Sequence, residues 1–183
     1  MSPRSRESQL VELVDTGGGA VGATTVDEAH RAPGRLHRAF SVVLVDGEGR
    51  LLLQQRAAVK TRFALRWANA CCGHPLPGEP VVASAGRRLA EELGLLGVPL
   101  REVGLYVYRA EDPDSGRVEH EYDHVLLGRC DDPSGPIPFD PDEVAAVDWV
   151  PPDRVDADLR RSPDSYAPWL AGVLDAWRAA SAR

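Results

Sequence analysis

Apolar and polar positions alternate in blocks along this chain, and the breaks between blocks are marked by glycine, proline and aspartate. Phe40–Val45 and Leu51–Gln55 are β-prone runs on either side of Asp46-Gly47-Glu48-Gly49. That order of run, turn and run predicts a hairpin. Val103–Arg109 alternates and is rich in aromatics, Tyr122–Arg129 reads as a further strand, and Val147–Val150 as a short one. The pattern changes period twice. Val81–Leu93 follows Pro80 and stops at Gly94, the usual start and stop signals of a helix. Tyr166–Ala180 predicts a second helix, with Leu170, Val173, Leu174 and Trp177 on one stripe. Thr16–Ala23 holds four glycines and reads as a loop between early strands, and Asp131–Pro141 as a surface loop. Strands on both sides of an interior helix predict an α/β (α+β) domain, not a bundle or a sandwich.

Length and charge narrow the function. The 183 residues suit one domain, with about 1–8 and 179–183 expected as disordered tails. No apolar run reaches the roughly 18 residues of a membrane helix. Arg4 and Arg6 stand near the start with no apolar segment after them, so no signal peptide is expected. The net charge of −7 argues against a general grip on nucleic acid or an anionic membrane. Any phosphate must then be held by a local cluster of cations or by metal. Cys71, Cys72 and Cys130 form no disulfide framework, which favours a reducing, cytoplasmic setting.

Three segments carry candidate chemistry. In Arg87-Arg88-Leu89-Ala90-Glu91-Glu92 each arginine stands four residues before a glutamate. Alone, that reads as two surface ion pairs of little worth. In Cys71-Cys72-Gly73-His74-Pro75 the Cys72/His74 pair could be metal-binding, nucleophilic or incidental. Glu119-His120-Glu121 sets two carboxylates on one face of a strand, while His30 and His37 are separated by the helix-breaking Pro33-Gly34.

Together these spacings resemble a known family. Gly73, Glu79 and the Arg87–Leu95 run resemble the Nudix signature, whose glutamates hold divalent metals and diphosphates. Trp67–Pro75 resembles the active-site stretch of the type 1 isopentenyl-diphosphate isomerases, a Nudix branch, and the likeness covers roughly residues 8–178. The resemblance implies a Nudix-type mixed β-sheet sandwiched between helices. It also implies a metal site of His30, His37, His74, Glu119 and Glu121 for Mn²⁺, Zn²⁺ or Mg²⁺, and Glu92 as ligand of a Mg²⁺ that arrives with the substrate diphosphate. Arg56, Lys60 and Arg88 are implied as diphosphate contacts. The reaction implied interconverts isopentenyl and dimethylallyl diphosphate through a tertiary carbocation. Glu121, with Tyr108 as relay, would serve as acid, Cys72 as thiolate base, and Trp169 as aromatic shield of the cation. The expected partner is a small isoprenoid diphosphate and the expected state a monomer or weak homodimer.

Two departures leave alternatives open. The hydrolase signature has a glutamate where Arg88 stands, so diphosphate hydrolysis loses ground. Val26 stands where the family usually has a lysine that helps neutralise the diphosphate. That loss implies weak binding of isopentenyl diphosphate, or a relative that protonates and cyclises a longer isoprenoid.

Overall fold

The computed structural model describes residues 6–130 and 135–181. Nine strands among the described residues join one mixed sheet: β1 (Leu10–Val14), β2 (Ala20–Thr25), β3 (His37–Asp46), β4 (Leu51–Arg56), β5 (Trp67–Asn69), β6 (Cys71–Gly73), β7 (Leu100–Glu111), β8 (Val118–Cys130) and β9 (Val144–Val150). The helices are α1 (Val26–Ala29), α2 (Val81–Leu93), α3 (Pro152–Arg161) and α4 (Leu170–Ser181). None of them is long and apolar enough to cross a membrane.

β3 is the centre. It pairs antiparallel with β1, β4 and β6 and parallel with β8. Its residues alternate between two apolar clusters because successive side chains leave a strand on opposite faces. Phe40, Val42 and Leu44 pack with Leu52, Leu126, Ala85, Leu89 and Leu93 under α2. Val43 and Val45 pack with Leu51, Leu53, Val125, Val155, Leu170 and Leu174 under α3 and α4. The result is a helix–sheet–helix sandwich, and it explains why Val42–Val45 within β3 is apolar at every position.

The expected hairpin forms, with Val45 opposite Leu51 and Asp46 Oδ1 accepting from Glu48 N and Arg50 N at 2.9 and 2.8 Å. α2 spans the expected Val81–Leu93, and Gly94 closes it in the left-handed region at φ 64°. Other expectations shift. Only the first part of Thr16–Ala23 is a turn, since Ala20–Thr25 pairs with β1. The last helix begins at Leu170, not Tyr166, because Tyr166 bridges to Trp67 and Ala167 N donates to Trp67 O at 2.8 Å. α3 and the short β5 and β6 carry too little apolar pattern to be read in advance. Within the expected Asp131–Pro141 loop, residues 131–134 lie outside the described residues, while Asp140 N donates to Glu92 O at 2.9 Å. Of the expected tails, residues 1–5 and 182–183 lie outside the description; Arg6 and Glu7 make ion pairs into the cleft described next, and α4 continues to Ser181.

Candidate active site

The topology brings the separated motifs to one end of the sheet. The parallel register of β3 and β8 sets His37 beside Glu121, and the antiparallel register of β7 and β8 sets Tyr108 beside Glu121. His30 ends α1, where the turn through Pro33-Gly34 leads into β3. His74 follows β6 directly. One donor atom from each of His30, His37, His74, Glu119 and Glu121 then lies within 4.8 Å of every other, and all but His74 are buried. The three imidazole rings stand 4.6 to 5.1 Å apart between centroids.

The hydrogen bonds behind these rings decide what the cluster can hold. His30 Nδ1 lies 2.7 Å from Val26 O, and His37 Nδ1 lies 2.7 Å from Arg35 O. A carbonyl only accepts, so each Nδ1 carries the proton and each Nε2 presents a lone pair inward. His30 Nε2 meets Glu119 Oε2 at 2.7 Å, while His37 Nε2 is buried without a hydrogen bond, 3.6 Å from Glu121 Oε1. Lone pairs facing carboxylate oxygens require a cation between them, either a proton or a metal ion. Burial pushes the His74 ring down to about 4, against the pull of its bond to Glu121. Burial and the Glu119 charge push Glu121 up, but the nearness of His37 and the hydrogen bond to His74 overcome them and hold it at about 2. Neutral imidazoles and ionised carboxylates are the ligand states that a divalent cation needs.

Cys72, Tyr108, Glu121 and Trp169 line the cleft beside this cluster. Tyr108 Oη donates to Glu121 Oε2 at 2.7 Å. Trp169 is 2% exposed; its ring meets Tyr108 at 6.0 Å and Phe63 at 5.3 Å, and the Arg56 guanidinium lies 5.4 Å from its centroid. Cys71 points the other way, into the α2 cluster. Burial pushes the Cys72 thiol up to about 12, so the protein by itself keeps it protonated.

The opposite end of the cleft is a charge network. Lys60 Nζ donates to Glu143 Oε2 at 2.6 Å, and Arg88 pairs with Glu91, Glu92 and Glu143. Glu92 lies in this network and not among the five clustered ligands. Arg56 lines the cleft too, with Nε and Nη2 donating to the Arg62 and Phe63 carbonyls.

Sequence reasoning passed over several residues. Asn69 donates from Nδ2 to Val42 O and Cys71 O at 3.2 and 2.9 Å. Its Oδ1 accepts from Cys72 Sγ at 3.3 Å and from Trp169 Nε1 at 3.2 Å. Arg62 donates to Glu119 Oε1 at 3.0 Å, and Ser41 Oγ donates to Asp123 Oδ2 at 2.7 Å while lying 3.6 Å from Cys72 Sγ. Of these, only Asn69 carries a signal in the sequence, by standing inside the Trp67–Pro75 stretch.

Residues 35–171 match the NUDIX domain family model. The chain is 62% identical to an isopentenyl-diphosphate Delta-isomerase of Nocardia farcinica over 165 residues, 90% of this chain and 92% of that one. It is 46% identical to the enzyme of that name from Streptomyces coelicolor over 174 residues, 95% of this chain and 86% of that one. The fold resembles the crystal structure of DR0079 from Deinococcus radiodurans, with TM-score 0.73 at 20% identity, covering 92% of this chain and 99% of that one.

Proposed function

Given that the chain belongs to the NUDIX superfamily and, within it, to the isopentenyl-diphosphate Delta-isomerases, we propose that its cleft performs that isomerisation with two opposed proton carriers beside a metal-binding cluster. The observation that carries the reading is the convergence of five ligand atoms, the Tyr108–Glu121 bond and the Cys72 thiol on one cleft.

Moving the double bond requires a proton added at the terminal carbon and another removed from C2, with positive charge on the branched carbon between. The Tyr108–Glu121 pair delivers the first, and Cys72 Sγ takes the second. One turnover leaves the pair a proton short and Cys72 a proton over, exchange of both with solvent resets the cleft, and the reverse reaction swaps the roles. Trp169 and Tyr108 turn aromatic surface to the cleft, where a carbocation gains from their π faces and is kept from water. His30, His37, His74, Glu119 and Glu121 would hold one divalent ion. Its charge would orient Glu121 and lower the proton affinity of neighbouring groups, including the Cys72 thiol. Glu92 would hold a Mg²⁺ that accompanies the diphosphate, and Lys60, Arg88 and Arg56, which line the cleft, would contact the diphosphate oxygens. Cys71, Cys72 and Cys130 as thiols suit work in a reducing cytoplasm.

Incubation with isopentenyl diphosphate and Mg²⁺ or Mn²⁺ in D₂O, followed by chromatography and proton NMR, tests the reading. Dimethylallyl diphosphate carrying solvent deuterium supports it. Release of inorganic phosphate or pyrophosphate without that product refutes it.

A further inference from the structure

Arg6 and Glu7 precede β1, yet both line the catalytic cleft. Their charges reach in opposite directions. Glu7 accepts from Arg62 Nη1 at 3.0 and 3.2 Å and from Thr61 Oγ1 at 2.8 Å. The same Arg62 donates to Glu119, one of the five clustered ligands. Arg6 crosses to the other end, with Nε 2.8 Å from Glu143 Oε1, Nη1 3.7 Å from Glu92 and Nη2 4.0 Å from Glu91. Its side chain is only 13% exposed. Here two adjacent ion pairs tie the segment across the mouth of the cleft.

The charges at the Arg6 end balance. Arg6, Lys60, Arg87 and Arg88 face Glu79, Glu91, Glu92 and Glu143, and Glu143 touches Arg6, Lys60 and Arg88 while being almost fully buried. The Arg6 Nε makes no hydrogen bond despite its nearness to Glu143, so the contact is one of charge without alignment. A buried donor held by charge alone gains when a phosphate oxygen offers it a properly directed acceptor.

We infer that Arg6 is a diphosphate-binding residue of this enzyme, swung into place by the Glu7–Arg62 anchor. The inference rests on the isomerase reading for its substrate but on the geometry for its ligand class. When a diphosphate and its divalent ion enter, Arg6 exchanges Glu143 for a phosphate oxygen, and the freed carboxylate side of the network faces the incoming cation. Without Arg6 that end of the cleft carries one uncompensated negative charge against an anionic ligand.

The test compares the full chain with its Arg6→Ala and Arg6→Lys variants. Calorimetry gives the Kd for magnesium pyrophosphate, steady-state kinetics gives KM and kcat for isopentenyl diphosphate, and thermal melts give Tm. One lost charge-assisted contact should raise both Kd and KM about 10-fold or more in Arg6→Ala. kcat should change little, Tm should fall because buried Glu143 loses one of its cations, and lysine should recover part of both losses. Unchanged Kd and KM, or a fall in kcat alone, overturns the inference. If the wild-type chain forms no dimethylallyl diphosphate but Arg6→Ala still weakens pyrophosphate binding, the isomerase reading fails and the role of Arg6 stands. If the product forms and Arg6→Ala binds like wild type, the reverse holds.

Discussion

Replacing Asn69 by leucine removes a buried junction between the two groups that flank the proposed carbocation. Asn69 is 2% exposed and uses both ends of its amide. The indole Nε1 of Trp169 can only donate, so the atom it meets must be Oδ1, and the two carbonyls behind must face Nδ2. The amide is therefore fixed in one orientation, and its single oxygen holds the Cys72 thiol and the Trp169 ring in register. In Asn69→Leu the two carbonyls lose one donor each, and the indole N–H is left buried with no acceptor. An orphaned buried donor costs about 1–3 kcal/mol and each of the two neutral hydrogen bonds about 1 kcal/mol, so a loss of roughly 3–5 kcal/mol is expected. Urea titration measures it. Repeating the substitution in a Trp169→Phe background separates the parts, since phenylalanine leaves no N–H to orphan. The cost of Asn69→Leu should then shrink by about 1–3 kcal/mol. In the single variant kcat should fall about 10- to 100-fold with KM little changed, because orientation at the reacting carbons is lost while diphosphate contacts remain. Equal costs in the two backgrounds would show that the indole bond carries no weight. A normal kcat alongside the full stability loss would show that Asn69 serves the fold alone.

Cys72→Ser should lose several orders of magnitude in kcat, whereas Cys71→Ser should keep most activity and lose stability instead, since Cys71 is fully buried in the α2 cluster; equal losses of activity would refute the assignment. Adding Mn²⁺, Zn²⁺ or Mg²⁺ to chelator-treated protein should raise Tm, by an amount equivalent to about 2.7 kcal/mol at a hundredfold excess over Kd, and His37→Gln should abolish the rise; an unchanged Tm in the wild-type chain would count against the five-ligand site. At the β3–β4 turn, burial raises the Asp46 carboxyl but bonds from Arg50 and the turn amides outweigh it, so its pKa is lowered in the fold. Stability from such a group is present above its unfolded pKa and is lost as pH falls through the folded value. Asp46→Ala should therefore lower Tm at neutral pH, and the gap to wild type should narrow in acid; a gap that widens in acid would show the sign to be wrong.

The parts of the fold legible in the sequence are those where a single local pattern decides. Val81–Leu93 has its proline before, its αL glycine after, and its apolar stripe between, so no tertiary contact is needed to place it. The β3–β4 hairpin is declared by Asp46 and the glycines around it. Misplaced boundaries have the opposite origin. Tyr166 stands just before an apolar helical stripe, but Pro168 disfavours helix at Ala167 and a strand about a hundred residues earlier claims the Tyr166 backbone through Trp67. Ala20–Ala23 reads as loop on composition, and pairing with β1 makes it strand. In both cases a long-range hydrogen-bond partner overrides the local preference.

The site divides along a similar line. His30, His37, His74, Glu119 and Glu121 are legible together through the resemblance to a known family, since residue type alone does not separate them from His120 or His124. Arg6, Arg62, Asn69 and Glu143 are ordinary polar residues whose roles come from where the fold puts them. The position held by Val26 illustrates the difference. Sequence comparison by position sees a missing cation there, and Arg31 is no substitute, since it is exposed and pairs with Asp27 and Glu28. The cleft instead receives a cation from Arg6, which is distant in sequence and near in space. Arg88 makes the complementary point. It neutralises Glu91, Glu92 and Glu143 at the position where a hydrolase would add another carboxylate to its metal-binding set. With the helix end electrically satisfied, the proposed reading gives that end of the cleft to the diphosphate and leaves Cys72, Tyr108 and Glu121 to act on carbon.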